Sequence, residues 1–250
     1  MATTSDVLTL YLNWNAVCAQ KVLLTLEEKN IAYTLVHIDL AKFEQHDPAY
    51  LKLNPAGVVP TLVHDQQVVV ESSVIIEYLE DAFPDARLRP PAPSQRAQMR
   101  WWMKTVDDTV HGSLRPLSFV RFAQSYAQTL SDDTLREITA RMPKKDLAEI
   151  WQRVARSPYS DDELSVYLHK VEDVLDRMDQ ALAQDKWLAG DEFSLADIAM
   201  TPYFRRMVQL DKQVLWQGVR PHVADWVKRI EARPSFAVLD RVKQMFGPQS

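Results

Sequence analysis

The sequence contains very little cysteine and glycine, and it has no long apolar run. A single cysteine in 250 residues excludes an internal disulfide and favours a reducing compartment. Five glycines leave few positions for tight hairpin turns, which favours a mostly helical chain. Uncharged runs such as residues 53–64 are far shorter than the roughly 20 apolar residues that cross a bilayer. Residues 1–6 lack the basic and then apolar pattern of a signal peptide, so we expect a cytoplasmic protein with no membrane partner.

The motifs of several other function classes are also missing. The net charge of −5, without Lys/Arg blocks interleaved with aromatic residues, argues against a nucleic-acid partner. The six histidines show neither an H-E-x-x-H nor a His-x-His spacing, so we expect no metal site. No glycine-rich phosphate loop is present. Cys18 lacks the second cysteine of a dithiol redox motif, which excludes a two-cysteine oxidoreductase.

The N-terminal part of the chain has the pattern of a small α/β unit. Residues 7–12 and 32–40 alternate in hydrophobicity, as half-buried strands do. Apolar residues at helical spacing predict a helix between them, and Asn30 is a suitable residue to follow its end. Two strands joined by a helix are expected to pair in parallel through a right-handed crossover. The apolar positions of the helix are Ala19, Val22, Leu23 and Leu26.

Residues 54–73 predict a hairpin that runs directly into a helix. Pro60 opens the first strand, at an end that donates no ladder hydrogen bond. Residues 64–67 form the turn, residues 68–70 return, and Ser72 is the expected cap of the following helix. The resulting order β-α-β-(α)-β-β-α is that of a thioredoxin-like domain.

The second half of the chain has helical periodicity almost throughout. Four of the fourteen prolines lie in residues 84–93 and predict a linker. Ser160–Glu163 and Ser194–Asp197 have the spacing of capping boxes at helix starts. Pro221 is expected to open the last amphipathic helix.

The start of the helix at Ser72 offers a binding site for a zwitterion. A helix N-terminus attracts a carboxylate through its free N–H groups and its dipole, and Glu71 offers an acceptor for an ammonium group. The pair fits an α-amino acid end such as the γ-glutamyl unit of glutathione. Residues 54–73 resemble the glutathione site of cytosolic glutathione S-transferases. The resemblance implies a cis bond before Pro60 and backbone pairing between Val59 and the cysteinyl unit of glutathione.

A second resemblance to the same family lies in residues 193–198. The segment Phe-Ser-Leu-Ala-Asp-Ile is similar to the buried capping motif that the family uses for folding. Together the two resemblances cover the whole chain and imply glutathione as co-substrate and a homodimer. They imply a thioredoxin-like α/β domain in residues 1–84, a linker in residues 85–93 and an all-helical domain in residues 94–250.

Three further segments point to a subgroup of the family. Residues 42–46, 77–84 and 96–107 resemble bacterial β-etherases, which are similar to nu-class transferases and cleave β-aryl ethers of lignin fragments with glutathione. The additional helical residues 131–158 are also similar to that subgroup. The resemblance implies that the second substrate is a hydrophobic or aromatic electrophile.

Cys18 and Asn15 are the candidate catalytic residues. Cys18 lies at the start of the first predicted helix, where a thiolate is stabilised and the thiol pKa is lowered. It would hydrogen-bond the thiolate of glutathione or form a mixed disulfide with it; the alternative is a small buried residue that packs the helix start. The resemblance places the catalytic hydroxyl of serine-type members on Asn15. An amide N–H of Asn15 would donate to the thiolate instead, and the alternative is a turn residue.

Further candidates concern the two ends of glutathione. By resemblance, His46 falls where relatives bind the glycine carboxylate, and Lys42 is the alternative donor. Asp107 or Asp108 is a second candidate partner for the γ-glutamyl ammonium group, and the alternative is a solvent-facing helix acid.

The electrophile pocket is expected between the two domains. Its candidates lie near the loop after the first strand or on inward helical faces, although aromatic residues at helical spacing also fit a plain core. Tyr203 or His111 would stabilise a departing phenolate. The candidates are Trp14, Val110, His111, Leu114 and Tyr203.

Three functions remain open from the sequence. The first is transfer of glutathione to hydrophobic electrophiles, including cleavage of β-aryl ethers. The second is a glutathione-dependent thioltransferase or reductase that uses Cys18. The third is a non-catalytic, glutathione-binding regulatory protein. The elements at residues 59–60 and 71–72 favour an occupied glutathione site, but they do not distinguish the first function from the second.

Overall fold

A four-stranded mixed sheet forms the centre of the N-terminal part of the protein. The computed structural model describes residues 7–248. Within these residues the strands are β1 (Leu8–Leu12), β2 (Thr34–His37), β3 (Thr61–His64) and β4 (Gln67–Val70). Their order is β2-β1-β3-β4. β1 pairs with β2 in parallel, whereas the β1–β3 and β3–β4 pairs are antiparallel.

Three helices accompany this sheet: α1 (Val17–Glu28), α2 (Pro48–Leu53) and α3 (Ser72–Ala82). The chain order β1-α1-β2-α2-β3-β4-α3 confirms the thioredoxin-like prediction. Asn30 has a φ of 51° just beyond the end of α1, as expected of a residue that follows a helix. The hairpin between β3 and β4 turns at Asp65 and Gln66, which both have positive φ, so it forms without glycine.

Two local predictions in this part are wrong. β2 is shorter than residues 32–40, because Asp39 accepts a hydrogen bond from the N–H of Ala41 and starts a 3₁₀ turn that leaves the sheet. Ser72 does not cap α3: it is the first helical residue, and no side chain caps this helix. The capping position belongs to Glu71, whose φ of 67° turns the chain sharply from β4 into α3.

The remainder of the described chain is helical. A π-helical turn (Val106–His111), called the π turn below, joins α4 to α5 without a break. α4 begins at Pro93, the last residue of the predicted linker, as suits proline at a first helical position. Pro221 opens α11 as predicted, but α11 is not the last helix, because α12 follows and packs against α1. The helices are α4 (Pro93–Thr105), α5 (Gly112–Phe122), α6 (Gln124–Thr129), α7 (Asp132–Ala140), α8 (Lys145–Arg156), α9 (Asp161–Leu182), α10 (Leu195–Gln209), α11 (Pro221–Glu231) and α12 (Val238–Phe246).

Helix α10 crosses the core and packs against α1. Both predicted capping boxes are formed, at the starts of α9 and α10. In the α10 box the buried Asp197 accepts hydrogen bonds from Ser194, from the N–H of Leu188 and from the indole of Trp226. Because these bonds fix the start of α10, they also fix Tyr203 opposite the start of α1.

Candidate active site

The first turn of α1 meets the π turn and α10 around Cys18. Cys18 is the second residue of α1, so it lies among the backbone N–H groups that have no partner inside the helix. Its Sγ is 3.7 Å from Nδ1 of His111 and 3.8 Å from the hydroxyl of Tyr203. The same Nδ1 is 3.1 Å from the hydroxyl of Tyr203. Three of the sequence candidates therefore form one cluster.

The π turn interrupts the α-helical hydrogen bonding of the long helix that runs from Pro93 to Phe122, and it does so at the site. π-helical turns are rare and are found frequently at functional sites. This turn buries Val106 and Val110 in the core and leaves His111 half-buried beside Cys18. One turn farther on, Pro116 has no N–H for the carbonyl of Gly112, so a second interruption follows directly after the site.

Two ion pairs connect this cluster to its surroundings. Lys21 is completely buried, and its Nζ lies 2.5 Å from Oδ1 of Asp107 and 5.5 Å from the centre of the Tyr203 ring. On the other side, Nη2 of Arg115 lies 2.9 Å from Nε2 of His111. Nη1 of Arg115 lies 2.6 Å from Oδ2 of Asp146, on α8.

The electrostatics of the cluster favour a thiolate at Cys18. Burial raises the pKa of the Cys18 thiol, whereas the interaction with His111 lowers it. Lys21 and the Tyr203 hydroxyl lower the pKa further, so that it falls from 9.0 to about 6. Burial raises the pKa of Tyr203 well above 10, and the negative charge of Cys18 adds to this. Tyr203 therefore stays protonated at neutral pH and acts as a hydrogen-bond donor.

Asn15, the other catalytic candidate, is held by α10. Its backbone carbonyl and its Oδ1 accept hydrogen bonds from Nη2 of Arg206, at 2.5 and 3.2 Å. Gln209 adds a longer contact to the same Oδ1. Burial lowers the pKa of Arg206 to about 10, and its guanidinium remains charged at neutral pH. Within residues 7–248 the Nδ2 of Asn15 has no hydrogen-bond partner, so this amide is available as a donor.

The candidates for binding glutathione lie in the turn before α2, directly before β3 and at the start of α3. The Val59–Pro60 peptide bond is cis. Glu71 is exposed, and its nearest cation is the Nζ of Lys144 at 3.8 Å. Ser72 is buried at the start of α3. His46 is buried as well, which lowers its pKa.

The ring of His46 lies against the backbone at Gly57. A Cβ at Gly57 would come within 2.9 Å of Cδ2 of His46, and the φ of 61° there favours glycine. In the neighbouring Gln45 the buried Oε1 has no partner among the described residues.

The other candidates are buried in the core, half-buried in a loop or engaged in ion pairs. Val110 and Leu114 are almost completely buried in the main core, while Trp14 is half-buried in the loop after β1. Asp107 and Asp108 are already paired with Lys21 and Lys104. Lys42 is exposed, with Asp39 as its partner.

Four residues of the site were missed from the sequence: Lys21, Arg115, Asp146 and Arg206. Lys21 follows Cys18 by three residues and Arg115 follows His111 by four, which are the spacings of neighbours on a helix. These spacings could have revealed both. No local pattern connects Asp146 with Arg115, or Arg206 with Asn15.

The chain matches two family models, which describe the N-terminal and the C-terminal domain of the same enzyme family. The glutathione S-transferase N-terminal domain matches residues 17–82, and the C-terminal domain of the same family matches residues 147–234. Within residues 7–248, no helix is long and apolar enough to cross a membrane.

Individual relatives agree with the family models along almost the whole chain. Protein LigF of Sphingobium is 35% identical over 90% of this chain and 88% of its own length. The crystal structure of β-etherase LigF from the same strain has a TM-score of 0.85, with 32% identity over 94% of this chain and 98% of that one. A theta-class glutathione S-transferase of Xanthomonas axonopodis with glutathione bound has a TM-score of 0.69, with 26% identity over 93% of this chain and 96% of that one. The chain therefore belongs to the glutathione S-transferase family.

Proposed function

We propose that this glutathione transferase cleaves aryl ethers, with glutathione as its co-substrate. The thiolate of glutathione attacks the carbon that carries the aryloxy group and forms a C–S bond. The C–O bond breaks, and its electron pair leaves with the oxygen as a phenolate. The observation that carries this proposal is the likeness to β-etherase LigF, which extends over both halves of the chain in sequence and in structure.

The start of α3 supports a binding role for the γ-glutamyl end of glutathione. The free N–H groups there attract its carboxylate, and the exposed Glu71 accepts from its ammonium group. We assign the cysteinyl backbone to Val59, beside the cis bond to Pro60. His46 is assigned to the glycine carboxylate, for which a ring N–H would be the donor.

Activation of glutathione requires donors to its sulfur rather than a strong base. Hydrogen bonds and the dipole of α1 stabilise a thiolate and so lower its pKa. Asn15 offers a free amide at the start of α1, and Cys18 offers a thiol when it is protonated. An ionised Cys18 would repel a second thiolate, so we expect Cys18 to be protonated or displaced from its donors when the glutathione thiolate is bound.

The leaving phenolate also needs stabilisation. Tyr203 remains protonated because burial raises its pKa well above 10, so it donates a hydrogen bond and keeps its proton. We assign this role to Tyr203, with His111 beside it. The product oxygen then takes its proton from solvent.

The walls of the electrophile pocket are a separate assignment. We assign them to Trp14, Val110 and Leu114.

The direct test is the release of phenol from a fluorogenic β-aryl ether, with and without glutathione. We expect release only with glutathione, together with a glutathione thioether product seen by mass spectrometry. Binding of glutathione without turnover on a panel of aryl ethers and other electrophiles would contradict the proposal. That result would favour a non-catalytic, glutathione-binding regulatory protein.

The lowered pKa of Cys18 supports a second candidate function, a glutathione-dependent thioltransferase. The Cys18 thiolate would attack the glutathionyl sulfur of a mixed disulfide, form a Cys18–glutathione disulfide and release the substrate thiolate. A second glutathione thiolate would then release oxidised glutathione and regenerate Cys18. This candidate predicts a Cys18 adduct of one glutathionyl group by mass spectrometry and complete loss of activity in Cys18→Ala.

Assembly and location complete the proposal. We propose a homodimer, as the family resemblance implies, and division into residues 1–84, the linker 85–93 and residues 94–250. A cytoplasmic location would supply reduced glutathione and would keep Cys18 reduced. Sedimentation equilibrium tests the dimer, and a mass equal to that of the 28.8 kDa chain at micromolar concentration would contradict it.

A further inference from the structure

The contact between Arg115 and His111 determines which nitrogen of the imidazole carries the proton. A guanidinium group contains only donors, and Nη2 of Arg115 lies 2.9 Å from Nε2 of His111. Nε2 must therefore accept this hydrogen bond. In a neutral imidazole with Nε2 as acceptor, the proton is on Nδ1.

The consequence reaches Cys18, since Nδ1 is the nitrogen that faces the cluster. It lies 3.7 Å from Sγ of Cys18 and 3.1 Å from the Tyr203 hydroxyl. With its proton on Nδ1, His111 presents a donor to both atoms. Without Arg115, the free Nε2 could carry the proton instead, and a lone pair at Nδ1 would then face the sulfur.

Arg115 is in turn held by helix α8. Its Nη1 donates to Oδ2 of Asp146 at 2.6 Å, across from α5 to α8. The side chain of Asp146 is 60% exposed, and exposed ion pairs contribute little to stability. We therefore expect this pair to orient the guanidinium of Arg115 rather than to stabilise the fold.

We propose that Arg115 is a positioning residue that holds His111 as the neutral tautomer with its Nδ1–H towards Cys18, and that Asp146 holds Arg115 in this role. The inference rests on the proposed function only in taking Cys18 and His111 as parts of the active site. It assigns a task to Asp146 of α8, which anchors the guanidinium that orients His111.

The pH dependence of Cys18 alkylation tests the proposal directly. Cys18 is the sole cysteine, so the rate of reaction with iodoacetamide reports its thiolate alone. The groups around the sulfur are His111, Tyr203 and Lys21, whose ammonium is paired with Asp107. We expect Arg115→Met to raise the apparent pKa of Cys18 by about one unit, and Asp146→Asn to raise it by less.

Two further variants sharpen this test. Arg115→Lys keeps a cationic donor and should restore part of the shift. Arg153→Gln is the matched control, because Arg153 ties α8 to Glu163 without touching His111. We expect the control to leave the titration of Cys18 unchanged. An unchanged titration in both Arg115→Met and Asp146→Asn would overturn the proposal.

Nitrogen-15 NMR of the histidine rings measures the tautomer itself. The signals of His111 can be assigned by their loss in His111→Gln. We expect the Nδ1–H form in the natural protein and a mixture or the Nε2–H form in Arg115→Met; an Nε2–H form in the natural protein would overturn the proposal. Neither readout needs glutathione or an electrophile, so both keep their meaning if ether cleavage is not the activity. If Arg115→Met does not fold, Asp146→Asn and Arg115→Lys provide the same comparison.

Discussion

Two helix N-termini, at Cys18 and at Ser72, are built in opposite ways. At Cys18 the chain itself supplies the partners, since His111 and Tyr203 lie within 4 Å of the sulfur. At Ser72 the adjoining Glu71 is exposed, and its nearest cation, Lys144, is 3.8 Å away. The first site is completed by the protein, whereas the second leaves its donors and acceptor open to a ligand. Substitutions at the first should therefore change chemistry, and substitutions at the second should change binding alone.

The largest effect is expected where the support of the Cys18 site is removed. Asp197→Ala leaves the buried indole of Trp226 and the N–H groups of Leu188 and Ser194 without their acceptor. Each unsatisfied buried donor costs about 1–3 kcal/mol, so we expect the free energy of unfolding to fall by about 3 kcal/mol or more. Urea denaturation followed by circular dichroism measures this loss.

The other capping box is the matched control for that prediction. Glu163→Ala removes the same kind of carboxylate from the start of α9, but Glu163 is exposed and water replaces the lost partner. We expect a far smaller loss of stability. Equal losses in the two variants would show that burial of the α10 box does not matter.

The next largest effect should be on chemistry at the Cys18 site. Tyr203→Phe removes the donor proposed for the leaving phenolate and keeps the ring. Loss of one such donor typically lowers kcat by about 10²-fold, and we expect KM for glutathione to change little. Steady-state kinetics on an aryl ether provide the measurement. Tyr33→Phe is the control, since the Tyr33 hydroxyl donates to Glu27 instead; unchanged turnover in Tyr203→Phe would remove Tyr203 from the mechanism.

Binding should change without chemistry at the Ser72 site. Glu71→Gln removes the negative charge proposed to accept from the γ-glutamyl ammonium. A hydrogen bond to a charged group of this kind corresponds to about tenfold in affinity, so we expect KM for glutathione to rise about tenfold with kcat nearly unchanged. Glu77 on the same helix pairs with Arg100. Glu77→Gln is therefore the control and should leave KM for glutathione unchanged. A loss confined to kcat would contradict the contrast between the two sites.

The parts of the fold that follow from neighbouring residues could be predicted from the sequence. Alternation predicted β1 and β2, and Ser–x–x–acid spacing predicted the starts of α9 and α10, because both signals depend on contacts within a few residues. The cap of α3 was predicted wrongly, because the start of this helix depends on a backbone conformation that the residue type does not reveal. The positive φ of Glu71 moves the start of the helix by one position, and a glutamate gives no signal of that conformation.

The site itself could be predicted only in part. Cys18 was found from its place at a helix start, and His111 and Tyr203 were found as members of a pocket. That both lie within 4 Å of the Cys18 sulfur depends on the π turn and on the packing of α10 against α1. Arg115 and Asp146 are 31 residues apart in the chain and lie on different helices, so the sequence offers no pattern that pairs them.

The smallest effect is expected from Lys144→Gln, which removes the cation beside the Glu71 carboxylate. The ammonium of Lys144 lies 3.8 Å from Glu71, so in the proposed binding mode it would compete with the ammonium of glutathione for the same oxygens. Exposed pairs of this kind are weak, and Lys144→Gln should lower KM for glutathione by a factor of about two to five. The double variant with Glu71→Gln should show no such gain, because the contested carboxylate is gone. An increase in KM in Lys144→Gln would instead mean that Lys144 itself binds glutathione, and the Ser72 site would then be completed from the helical part of the chain, as the Cys18 site is.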